Sequence, residues 1–181
     1  MSVARFSAVL EDVLAAVPDS AREGFLTAVA GDPGAGLDPA LCGPAPSPAE
    51  RSEAAIENLR RQYDSRRRVI EVSLTRAQAA ELLDISEQAV LARLGAGDLV
   101  GLKKGREWRL PAWQFNPDAE RGFVPGLARL RVVFPGGGVT LTEWAIAPNV
   151  ELDGATPADM LAAGCVDAVV HAARAATAVA W

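Results

Sequence analysis

The stretch LTRAQAAELLDISEQAVLARL, residues 74–94, constrains this chain more than any other part of it. Thr75 can cap a short helix, and Gln78 three residues later can close a capping box. Ala79, Ala80 and Leu83 then make an inner face of small residues, on which a second helix can cross closely. Asp84 stands where the chain has to turn, and aspartate tolerates a left-handed backbone better than most residues. Ser86 caps the next helix, whose inward positions are Val90 and Leu94 together with Ile85 just before it. Two short helices joined this tightly have the spacing of a helix-turn-helix.

Residues 97–115 add a second constraint. In GDLVGLKKGREWRLPAWQF the apolar residues Leu99, Leu102, Trp108 and Leu110 alternate around Lys103, Lys104, Gly105 and Arg106, which predicts a β-hairpin with a basic tip. The combined stretch 74–115 resembles the winged helix-turn-helix of the excisionase and MerR-like class. That resemblance implies a second helix in the major groove of double-stranded DNA and a wing on its backbone. The expected DNA contacts are Ser86, Glu87, Gln88 and Arg93 on the second helix, with Lys103, Lys104 and Arg106 on the wing. The helix departs from the usual pattern, because Leu91 and Ala92 stand where polar or basic groups are expected and Glu87 brings negative charge toward phosphate. Glutamate can accept from cytosine N4 and Gln88 can pair with adenine, so a reading role is open. So is use of the same fold as a protein-docking or dimer module.

Charge separates the chain into three parts. Net charge is −5 overall, but residues 1–50 carry −5, residues 51–131 carry +4 and residues 132–181 carry −4. A basic middle between acidic flanks suits a module that meets phosphate beside neighbours that do not. The expected domains are a helical segment and linker over 1–46, a helix plus winged helix-turn-helix over 47–131, and a small helical module over 132–181, a mainly α fold. The first part predicts an amphipathic helix over 3–17 and a short one near 19–30, then a loop rich in Gly and Pro. Ser47, Pro48 and Glu50 predict the start of a helix reaching about residue 68, with Ala55, Ile56, Leu59 and Tyr63 on one side and five arginines in its last stretch. Those arginines suit the negative end of a helix dipole and can also reach phosphate.

In the last part Thr156, Pro157 and Asp159 predict a helix start, Gly164 a stop, and Val166, Val169, Val170 and Ala173 the inner face of a final helix. The order Trp144, Pro148-Asn149, Leu152-Asp153-Gly154, Thr156-Pro157, Met160-Leu161, Gly164 resembles the toxin-binding domain of Xre/MbcA/ParS-type antitoxins. Asp153 stands where those domains often carry a second glycine or a similar small residue. The resemblance implies an antitoxin whose carboxyl module holds a partner toxin, commonly one with a RES domain, while the preceding half binds the operon's own promoter. The partner contacts it points to are Trp144, Pro148, Asn149 and Gly154. Trp181 at the chain end joins them as an aromatic anchor. The competing reading is a stand-alone transcriptional regulator whose carboxyl module dimerises or binds another protein.

Enzymatic groups are scarce, and no catalytic residue, metal ligand or cofactor is expected. His171 is the single histidine and lies on an Ala-rich helix, where a surface or packing role is the simpler reading. The glycine-rich strings at 31–36 and 135–138 lack phosphate-loop spacing and read as loops. Trp108, Trp113 and Trp144 read as core. Cys42 and Cys165 are far apart with no C-x-x-C pair, the first residues lack a continuous apolar run, and no membrane-length apolar stretch occurs. A cytoplasmic protein without membrane partners is the expectation.

Overall fold

A computed structural model describes residues 46–178 together with Glu23. The helices expected over 3–17 and 19–30, most of the linker, Cys42 and Trp181 lie outside the described residues. The chain divides into two compact units, residues 1–67 and 68–181. Seven α-helices and one three-stranded antiparallel sheet make up the described residues, so the protein is mainly helical.

Helix α1 runs Pro48–Glu71. It starts as its first residues dictate: the Glu50 amide donates to Ser47 Oγ, and the Ser47 amide donates to Glu50 Oε2 at 2.7 Å. Hydrogen bonding to the Ser47 hydroxyl, and then to the Ser47 amide, holds the Glu50 carboxyl below its ordinary pKa. Ala55, Leu59 and Val69 are the buried apolar residues of the helix. Ile56, expected beside them, is exposed. Each helical residue turns about 100°, so the row of Ala55, Leu59 and Val69 leaves Ile56 on its flank.

Strand β1 (Ser73–Thr75) leads directly into α2 (Arg76–Leu82), and a turn at Asp84 joins α2 to α3 (Glu87–Ala96). Every local signal read from this stretch has a partner. Thr75 and Gln78 form a reciprocal capping box, Ser86 Oγ accepts from the Ala89 amide, and Asp84 is left-handed at φ 50°. Strands β2 (Leu102–Lys104) and β3 (Glu107–Pro111) form the hairpin. Its two-residue turn has positive φ at Gly105 and not at Arg106, as a type II′ turn requires. The sheet order is β1-β3-β2, so β1 adds a third strand where a two-stranded hairpin was expected.

Ala79, Ala80, Val90, Leu99, Leu110 and Phe123 close a small core under α2, α3 and β3, with Leu83, Ile85, Leu94 and Trp108 packed against it. The rest of the unit holds α4 (Leu127–Val133), α5 (Gly138–Ala145), α6 (Pro157–Ala162) and α7 (Val166–Ala178). Helix α5 is not anticipated by any cap or spacing in the sequence. Leu127, Leu130, Leu141, Leu161 and Val169 are the centre of a second core, which also takes in Val100 and Val124. The expected boundary at residue 131 therefore falls inside this core. Gly126, at φ 81°, lets α4 approach α7: a Cβ there would lie 2.3 Å from Val166 Cγ1.

The two cores meet in consecutive residues, since Leu99 belongs to the first and Val100 to the second. Gln114 is fully buried and holds that point. Its Oε1 accepts from the Val100 amide at 2.6 Å, and its Nε2 donates to the carbonyls of Val100 and Pro111 at 2.9 Å each. A buried amide with all these bonds made is a strong local constraint.

Candidate functional site

Helix α3 and the hairpin carry the residues named for DNA. Ser86, Glu87 and Gln88 are exposed at the first turn of α3, where the unpaired helical amides and the dipole favour negative charge. Ser86 spends its hydroxyl oxygen on the cap. Ala92, Gly95 and Ala96 continue the exposed side, so beyond Gln88 this face offers little hydrogen-bonding capacity. On the hairpin Lys103, Lys104 and Arg106 are all exposed. Lys103 Nζ lies 4.0 Å above the ring of its cross-strand partner Trp108, a cation–π contact that leaves the ammonium at the surface. Arg109 on β3, not anticipated, is only partly exposed and bonds Glu107 at 2.8 Å.

Two placements change the reading of α3. Arg93, expected to face bases, lays its guanidinium over Phe123 at 5.3 Å and buries Nη1 without a hydrogen-bond partner. Arg121 covers the same ring at 4.7 Å and bonds Asp98 at 2.7 Å. Phe123 lies 30 residues beyond Arg93, which is why spacing along α3 alone could not reveal the contact. Glu87 is the second case. Its carboxylate accepts from Arg76 Nε, so its charge is matched by the first residue of α2.

The arginines at the end of α1 are less available than their number suggests. Arg66 is partly desolvated, which lowers its pKa from the ordinary value, and Arg68 approaches Glu143 at 3.9 Å. Arg66, Arg67 and Arg68 each have further interactions within the structure.

Of the residues named for a partner, Trp181 lies outside the described residues, while Trp144, Pro148, Asn149 and Gly154 lie on α5 and on the loop that joins it to α6. Trp144 is half-buried, with its ring 5.2 Å from that of Phe134, and packs against the second core. Pro148 and Gly154 are exposed. Asn149 organises the loop: its Oδ1 accepts from the Glu151 amide, its carbonyl accepts from the amides of Leu152 and Gly154, and its amide donates to Ala155. Asp153 and Gly154 are both left-handed, at φ 54° and 84°, which accounts for the small or turn-forming pair at this point. Leu152 anchors the loop in the core while Val150, 91 % exposed, stands at its surface with Ile146 nearby in sequence and 54 % exposed. Neither Val150 nor Ile146 was singled out from sequence; an apolar pair flanking Pro148-Asn149 was the available signal.

Of the remaining candidates, His171 is exposed on α7, and Cys165 is a free, exposed thiol. Trp108 and Trp113 are both half-buried, and Trp113 Nε1 donates to Thr142 Oγ1 at 3.3 Å. Among the described residues no group of three or more His, Cys, Asp or Glu side chains is placed to hold a metal ion, and no helix is long and apolar enough to cross a membrane. The chain matches no family model, no curated protein and no solved structure.

Proposed function

We propose that this protein is the antitoxin of a type II toxin–antitoxin pair. Residues 73–111 act as a winged helix-turn-helix on double-stranded DNA of its own promoter, with α3 directed at the major groove and the β2–β3 hairpin at the backbone. The loop between α5 and α6 holds a partner toxin, which the resemblance in Trp144–Gly164 marks as one with a RES domain. The observation that carries the DNA half is the joint exposure of the first turn of α3 and of Lys103, Lys104 and Arg106, in a chain whose net charge is otherwise negative. The partner half is supported by the way Asn149, Asp153 and Gly154 build one loop that displays Pro148 and Val150.

A second reading has its own support. Because Val100, Val124, Leu127 and Leu130 are part of the core of α5–α7, the carboxyl helices also serve as a footing for the segment after α3. That suits a stand-alone DNA-binding regulator whose carboxyl helices dimerise. Co-expression with the product of the adjacent reading frame separates the two. The antitoxin predicts a stable complex and relief of that product's growth arrest, whereas the regulator predicts neither.

A further inference from the structure

We propose that Arg76 is the guanidinium this face presents to a DNA phosphate, and that Glu87 is the positioning residue that holds it there. The inference rests on the DNA-binding reading of α3 and the hairpin and names a contact outside it. Arg76 is the first residue of α2 and Glu87 the first of α3, so the pair ties together the amino ends of the two helices. The contact is made through Arg76 Nε. Arg109, Arg121 and Arg129 are instead gripped by their acids through Nη2. Held by Nε, Arg76 keeps both terminal nitrogens for an outside acceptor, and these make no other hydrogen bond or ion pair among the described residues. Both side chains are at the surface, 41 % and 47 % exposed.

The chemistry favours phosphate. A guanidinium fork matches two oxygens of one phosphate, and a fork already fixed in place loses less side-chain entropy on binding. Glu87 is itself stabilised at the positive end of α3, so it is a firm support. Left alone it would repel the backbone of DNA, but paired it converts a mobile arginine into a directed one. Arg93, folded over Phe123, cannot take this part without leaving the core.

The test is a double-mutant cycle read by fluorescence anisotropy, using a labelled duplex from the sequence upstream of the gene and a second duplex of scrambled sequence. Arg76→Ala is expected to weaken binding to both by about tenfold and to reduce the salt slope by about one unit. Glu87→Ala is expected to weaken binding several-fold when Arg76 is present and to strengthen it in the Arg76→Ala background. That reversal of sign is the signature of positioning. Arg76→Lys keeps the charge without the fork and should retain the slope while losing affinity, which guards against a folding defect in the alanine variant. If Glu87→Ala tightens binding in both backgrounds, Glu87 is only a repelling charge and the proposal is wrong. It is equally overturned if Arg76→Ala leaves affinity unchanged, or weakens only the upstream duplex as a base contact would. If the wild-type protein binds neither duplex, the DNA reading itself fails, a result distinct from a failure of Arg76 within it.

Discussion

In residues 73–111 the core is small, with Ala79, Ala80 and Val90 beside Leu99 and Leu110, and the surface carries Arg76, Lys103, Lys104 and Arg106 with Leu82 as its one large exposed apolar side chain. In residues 124–178 the core is leucine-rich, and Val132, Ile146 and Val150 are exposed among charged residues of both signs, such as Arg129, Glu151 and Asp167. Alanine at a helix crossing lets the backbones approach closely, which suits a compact frame that displays charge. Leucine packing supports a larger bundle whose loops can display apolar surface. The proposed function asks for such a contrast, since it assigns an anionic polymer to the first region and a protein to the second. Yet the regions are joined at Leu99 and Val100, consecutive residues that belong one to each core.

A cut between the two regions should have the largest effect. A fragment starting at residue 132 lacks Val100, Val124, Leu127 and Leu130, which leaves Leu141, Leu161 and Val169 without their partners. It is expected to show no cooperative thermal transition, while a folded fragment would make the carboxyl helices a separate domain. Leu110→Ala and Leu161→Ala, one from each core and both fully buried, should each cost about 2–5 kcal/mol. Both should lower the same calorimetric transition; two separately moving transitions would show that the cores unfold apart. Gln114→Leu leaves the backbone groups of Val100 and Pro111 without their partner and should cost roughly 1–3 kcal/mol in chemical denaturation. Val150→Asp should change stability by less than about 0.5 kcal/mol, because the side chain is 91 % exposed, yet weaken the complex with the adjacent gene product at least tenfold. Unchanged affinity would remove this loop from the interface. The smallest effects belong to the two left-handed aspartates, where Asp84→Gly and Asp153→Gly should each raise stability by at most about 1 kcal/mol. A clear loss at either position would mean that its side chain holds the turn.

Legibility in the sequence obeys a physical rule. Caps and turns depend on residues three or four apart, so Ser47, Thr75, Ser86, Thr156 and Asp84 were all legible. The inner faces of α2, α3 and α7 were legible from apolar spacing. Strand β1 was missed because it has three residues and ends in Thr75, which also caps α2. Helix α5 was missed because it opens on glycines and has no side-chain cap. The pairs that reshape the candidate site depend on tertiary structure: Arg76 with Glu87 through the crossing of two helices, Arg93 with Phe123 across an intervening hairpin, Gln114 with Val100 at the junction of two cores. Polar residues such as Gln114 read as surface until the backbone groups they satisfy are placed.

On the proposed function, 73–111 meets DNA through its charged surface while 124–178 does not. It is tested most directly by measuring affinity for the upstream duplex as a function of salt, for the wild-type protein and for Lys103→Ala/Lys104→Ala/Arg106→Ala. The expected result is a steep fall of log affinity with log salt for the wild type and a slope shallower by about one unit for each lost phosphate contact in the variant. Binding that is absent, or equally salt-sensitive in both proteins, would contradict it.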